Sequence, residues 1–207
     1  MAVDTGPYQF DFSTGQLALD FTKTLTGRAK AQPIERLTYY DDLVSWGRQA
    51  GALTDLDAQR LLREARRRPG RAQAVLERAI SLRESLYQVL VAAIARNQPP
   101  QPDFERLNLA VSDALGHLRL VSTGEEFAWG WDDREERLGQ VVWCVARAAA
   151  ELLTSDELSR VRMCAEQSCG WLFFDASRNR SRQWCDMKVC GNRAKARRHY
   201  ARTKQGR

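Results

Sequence analysis

The sequence predicts a mainly α-helical body with one small β-hairpin, followed by a small finger built on cysteines. Three observations carry this expectation. Apolar residues recur with a period of about 3.6 through most of residues 1–160. Four of the five cysteines fall between positions 164 and 190, as two pairs. Charge also divides along the chain: residues 161–207 hold 12 Lys+Arg and 3 Asp+Glu, a net of +9, whereas residues 1–160 carry a net of −3. The expected division is an α-rich unit over 1–157 and a basic finger over 158–207, each with its own core.

The 207 residues, 43% of them hydrophobic and with six Trp and seven Phe, can bury a sizeable core, which excludes disorder throughout. The longest uncharged apolar run, Ser85 to Ala95, is too short to cross a bilayer, where about 20 residues are needed. No basic and apolar leader opens the chain, so a cytosolic setting is expected. Thiols stay reduced there, which favours metal ligation over disulfides for clustered cysteines.

Leu17, Phe21 and Leu25 lie four apart and predict a short helix over 16–25. Thr38 and Asp41 resemble a capping box for a helix through Leu43, Val44 and Trp46 that stops near Gly51. Thr54 or Asp55 caps a third, ended by Pro69-Gly70. The longest helix is expected from Arg71 to Arg96, with Val75, Ala79, Leu82, Leu86, Val89, Leu90 and Ala93 inward. A Pro-rich connector follows. Asp103 to Leu115 predicts another helix, with Phe104, Leu107, Val111 and Leu115 as its apolar face. Alternation in His117–Ser122 and Glu126–Trp131 around Thr123-Gly124 predicts the hairpin. Asp132 or Asp133 then caps a last body helix, Arg134 to Leu153.

The body shows no catalytic constellation, so an enzyme is not expected. His117 and His199 are the only histidines and lie far apart in sequence. No Gly-rich phosphate loop, zinc-protease helix or nucleophile elbow is present. The pairs Asp41-Asp42 and Asp132-Asp133 read as helix caps, and Cys144 as a small buried hydrophobe. Trp46, Trp129 and Trp131 are core candidates that would alternatively line a pocket.

Cys164 and Cys169 form one C-x4-C pair, and Cys185 and Cys190, fifteen intervening residues later, form another. Four thiolates so spaced suit one tetrahedral Zn2+, which would supply much of the folding energy of a segment this polar. Disulfides and an iron–sulfur cluster are the alternatives for the same residues. Gly170–Asp175 reads as an apolar strand and Ser177–Trp184 as its basic return, with Trp184 packed beneath the loop. The order knuckle, hairpin, knuckle, helix is that of a treble clef. The final helix begins after Cys190, is rich in Arg and Lys, and has almost no apolar line of its own.

Arg162-x-Cys164-Ala, Leu172-Phe-Phe-Asp175, Ser177-Arg-Asn-Arg-Ser-Arg182, Trp184-Cys185-x-Met187 and Cys190-Gly-Asn-Arg193-Ala-Lys-Ala-Arg-Arg resemble the CGNR zinc finger over about residues 158–204. In that family the finger follows an α-rich domain named ABATE, whose early Leu-Asp-Phe-x-Asn-Thr segment is similar to Leu19-Asp-Phe-Thr-Lys-Thr24, with Lys23 in place of Asn. The resemblance implies a bacterial, stress-linked transcription regulator with Cys164, Cys169, Cys185 and Cys190 as zinc ligands. DNA is then the expected partner. Arg178, Arg180 and Arg182 on the loop, and Asn192, Arg193, Lys195, Arg197, Arg198, Arg202 and Lys204 on the helix, are its candidate contacts. Among these, one or two Arg or Asn192 would read base edges. A small-molecule effector for the helical body is a further expectation. Docking on an acidic protein or on RNA is the alternative, because fold alone does not choose among partners.

Overall fold

The computed structural model describes residues 8–132 and 137–205; the side chains of Arg202, Lys204 and Gln205 lie outside that description. Helix α1 (Leu17–Thr22) leads into two short strands, β1 (Leu25–Thr26) and β2 (Ile34–Glu35), which pair antiparallel. The predicted helix over 16–25 thus ends early. Thr22 and Thr24 turn their hydroxyls onto the carbonyls of Leu19 and Phe21, and Leu25 joins the strand.

Helices α2 (Tyr40–Gln49) and α3 (Asp55–Arg67) follow. The α2 cap sits one residue later than expected: Asp42, not Asp41, accepts from the N–H groups of Thr38 and Tyr39 at 2.9 and 2.8 Å. At α3 the cap is Thr54, one of the two expected residues, and beyond that expectation it forms a capping box with Asp57: Thr54 Oγ1 accepts from Asp57 N–H at 3.1 Å.

Helix α4 (Pro69–Ile94) starts at Pro69 rather than Arg71, since proline at the first helical turn costs no hydrogen bond. Helix α5 (Gln101–His117) likewise starts inside the Pro-rich connector. Its buried line is Leu107 and Ala114; Phe104 and Leu115, both expected inward, are exposed. His117 closes this helix instead of opening a strand.

The hairpin is β3 (Leu118–Ser122) with β4 (Phe127–Trp131), in the register Leu118↔Trp131 to Ser122↔Phe127. Helix α6 (Gln140–Leu153) begins at Gln140 after a 3-10 turn, and the expected start at Arg134 lies outside the described residues. The expected cap Asp133 lies outside the described residues. Asp132 instead receives Arg119 at 3.2 Å.

Helices α1, α2, α4, α5 and α6 enclose one core in which Leu19, Phe21, Trp46, Leu86, Leu90 and Val145 are essentially inaccessible. Of the tryptophans named above, Trp46 belongs to that core, Trp129 is exposed beside Arg147, and Trp131 packs on Trp143 at 5.7 Å between centroids. Cys144 is half-buried, with its thiol 3.6 Å from the Ala52 carbonyl and its pKa pushed up to about 11 by burial. No helix among the described residues is long and apolar enough to cross a membrane.

Strands β5 (Val161–Met163) and β6 (Leu172–Phe174) pair antiparallel and flank the first cysteine pair. The expected partner of β6 was the basic return after it, but residues 175–186 form a loop. Val161 and Leu172 belong to the core of the helical body, while Phe173 packs with the four cysteines. The two cores are thus distinct clusters linked through one hairpin. Gly170, at φ +71°, makes the joint close: a Cβ there would lie 2.9 Å from that of Arg28.

A bank of buried charge lies beside this joint. Arg83, 1% exposed, donates to both oxygens of Glu35 at 2.6 Å and to Thr24 Oγ1 at 3.1 Å. Arg28 donates to both oxygens of Glu84 and stacks over Tyr87, whose hydroxyl donates to Gly170 O at 2.9 Å. Lys23, where the similar family has Asn, pairs with Asp11 and with Asp20 at 3.0 Å and lies over the Trp171 ring. The Leu-Asp-Phe segment thus braces the helical body against the finger.

Candidate metal centre and basic face

The cysteines sit in two short knuckles closed by backbone hydrogen bonds. In the first knuckle, Cys164 N–H donates to Trp171 O and Cys169 N–H to Glu166 O, both at 2.9 Å. In the second, Asp186 O accepts from Cys190 and Gly191 at 2.9 and 3.0 Å, and the Asp186 carboxylate accepts from Val189 N–H at 2.6 Å. At Gly191 the Met187 side chain packs where a Cβ would stand, so a larger residue there would displace that exposed methionine. Trp184 is half-buried against the cysteine cluster, the packing role expected of it.

All four sulfurs lie within 4.8 Å of one another and are buried. Cys169 to Cys185 and Cys185 to Cys190 are each 3.6 Å apart. A disulfide needs about 2.05 Å, and all four thiols are free. Zn–S bonds of about 2.3 Å give a tetrahedron with edges of about 3.8 Å, so the spacing fits zinc. Close contact splits the thiols: neighbouring Cys169 and Cys185 pull Cys164 down, whereas contact with Cys164 pushes Cys185 up. Four bare thiolates cannot coexist this close, and a dication removes the conflict. Backbone N–H groups of Cys185 and Glu166 point at Cys164 Sγ, and that of Trp171 at Cys169 Sγ, lessening thiolate charge.

Beyond the sulfurs, helix α7 (Asn192–Gln205) leaves the second knuckle and is tied back to the first. Arg197 grips both oxygens of Glu166, one at 2.7 Å, and Ser168 Oγ donates to the same carboxylate at 3.0 Å. Hydrogen bonding from Arg197 holds the Glu166 carboxyl below its usual range, although its burial works the other way. Asp175, fully buried, organises the basic loop by accepting from Ser177 N–H at 2.9 Å, Ser177 Oγ at 2.5 Å and Arg182 N–H at 3.0 Å. Glu166 carries no signal in the sequence beyond being one of three acids in a basic segment, and Asp175 is marked only by its place in the Leu172-Phe-Phe-Asp175 motif, which does not give its role.

The candidate contacts divide accordingly. Arg182 is turned inward, donating to Trp184 O at 2.8 Å and to Cys185 O and lying over Phe173. Asn192 donates to Lys188 O at 2.7 Å, and Arg197 is committed to Glu166. Arg178, Arg193, Lys195 and Arg198 are exposed and make no salt bridge with any described residue. Arg180 is exposed and touches only Ser159 Oγ, at 3.4 Å. Arg202 and Lys204 lie on α7, with side chains outside the described residues. Glu166 and Asp175 are buried and bound internally, and the exposed Asp186 is the one acid of the finger left at its surface, so the surface charge there is predominantly positive.

Two family models match the chain. One, ABATE, carries the description "putative stress-induced transcription regulator" and covers residues 15–156; the other is the CGNR zinc finger, over residues 160–203. Both are regulator or zinc-finger families rather than enzyme families. No curated protein matches the chain.

Proposed function

The chain belongs to the ABATE family, with a CGNR zinc finger at its C-terminal end, and from that premise we propose that it is a DNA-binding transcription regulator. One observation carries the reading: the zinc-fixed frame presents Arg178, Arg193, Lys195 and Arg198 to solvent with every nearby carboxylate already bound elsewhere. Cations left unpaired on a rigid frame are suited to phosphates, whose contacts supply affinity and register. Lys195 and Arg198 stand three apart on α7 and so share one face. Arg193, next to the metal-fixed start of the helix, has the firmest anchor for reading a base edge.

Zn2+ held by Cys164, Cys169, Cys185 and Cys190 is structural in this reading. A closed four-sulfur site leaves no open position for chemistry. The helical body would supply regulation. A cleft of about 300 Å3 between α4, α5 and α6, where His117 stacks on Trp143 at 3.9 Å, is the place for an effector.

The test is binding of the zinc-loaded chain to duplex DNA. The logarithm of affinity should fall linearly with that of salt, by about 0.9 per phosphate contacted, with a footprint on a chosen sequence. Absence of duplex binding at low salt overturns the reading, and capture of an acidic protein or RNA instead would replace it.

A further inference from the structure

A second basic feature lies apart from α7. Between the end of α4, the 3-10 turn Asp156–Arg160 and the loop after β6 is an open cleft of about 760 Å3. Arg96, Arg162 and Arg180 line it together with Ser155 and Ser159; the single carboxylate on its wall is that of Asp156. None of the three arginines makes a salt bridge with a described residue. Ser159 steers two of them: its carbonyl accepts from Arg162 Nη1 at 3.1 Å and its hydroxyl from Arg180 Nη1 at 3.4 Å. Most of the donors on all three guanidinium groups remain unused.

The backbone gives an independent pointer. Arg96 (φ 56°) and Arg180 (φ 48°) are the only non-glycine residues with positive φ among those described, and both line this cleft. Arg96 stands just past the α4 C-cap, where Arg96 N–H donates to Ala93 O and Asn97 N–H to Ala92 O, a position that glycine fills without strain. Arginine at two such points keeps a guanidinium where backbone ease asks for none.

We propose that this cleft binds a phosphate-type oxyanion through Arg96, Arg162 and Arg180. Guanidinium forks match phosphate oxygens in pairs, and three cations against one aspartate favour a dianion over a simple carboxylate. The cleft is far larger than one phosphate and is lined in part by Ile94 and Leu158, so beside the bound phosphate group there is room for the rest of a phosphoester. The ester is either a soluble phosphorylated molecule or the backbone of a nucleic acid that also engages α7. The site does not depend on the DNA reading.

The decisive variant is Arg96→Gly with Arg180→Gly, because glycine is what both backbone angles favour and the fold should survive with unchanged zinc content and no lower melting temperature. Inorganic phosphate titrated calorimetrically into the zinc-loaded chain should bind saturably, and about tenfold or more weaker in the double variant. Arg198→Ala should leave phosphate binding as it was. If duplex affinity is unchanged in the double variant, the ligand is the soluble ester. If duplex affinity and its salt slope also fall, it is the nucleic-acid backbone. Phosphate binding that is absent, or equal in the double variant, overturns the proposal. A chain that binds phosphate but no duplex overturns only the regulator reading.

Discussion

Replacing Glu166 by Gln would remove the charge that holds Arg197, and with it the only described ion pair fastening α7 to the first knuckle. Zinc content should be retained, because no sulfur is touched, while hydrogen exchange of the α7 amides should quicken; unchanged protection would contradict this brace. Lys23 is a second decisive residue. Its ammonium offsets Asp11 and Asp20, and Lys23→Met would strand the buried Asp20, costing about 3 kcal/mol in urea unfolding. A cost near zero would show that the carboxylates find other partners. Glu35 gives a pH signature. Burial pushes its carboxyl up, but Arg83 and the Leu37 N–H outweigh this and hold it below its ordinary value of 4.5. A carboxylate lowered in the folded state contributes stability that is complete above its unfolded pKa and is lost as pH falls through the folded one. The native chain should therefore exceed Glu35→Gln in stability at pH 7, and the difference should shrink below about pH 4.5. A difference constant with pH would contradict the pairing.

Helix α7 shows how far the elements were legible. Its existence and charge follow from composition, and the four ligands from spacing, because tetrahedral sulfur coordination dictates both. Which cations stay free does not follow. Arg197 finds its acceptor 31 residues away, where only the fold brings the two together, and Arg182 is held by a local turn of the loop whose conformation the sequence does not display. Arg198→Ala should accordingly flatten the salt slope of duplex binding by about one unit, whereas Arg197→Ala should loosen α7. Equal effects on both readouts would erase the distinction. The helix cores were similarly legible from periodicity, and their ends were not. Pro69 and Pro102 sit inside first turns that tolerate them, and threonine hydroxyls end α1 before its apolar pattern stops.

At the scale of the whole molecule, the β5–β6 hairpin contributes residues to both cores, which the division expected between residues 157 and 158 does not reveal. Val161 and Leu172 sit among the body helices while the cysteines hang from the same strands. Cys185→Ser should thus lower the melting temperature of the helical body as well as unfold the finger; an unmoved body transition would mean that the hairpin stays folded without metal. The central claim is that the metal centre builds the basic face that engages DNA. It is tested most directly by titrating Zn2+ into the stripped chain while following the anisotropy of a labelled duplex at low salt. The account predicts that duplex binding appears in step with one equivalent of Zn2+ per chain and saturates there. Duplex binding that is equal in the stripped chain, or absent from the loaded one, would contradict it.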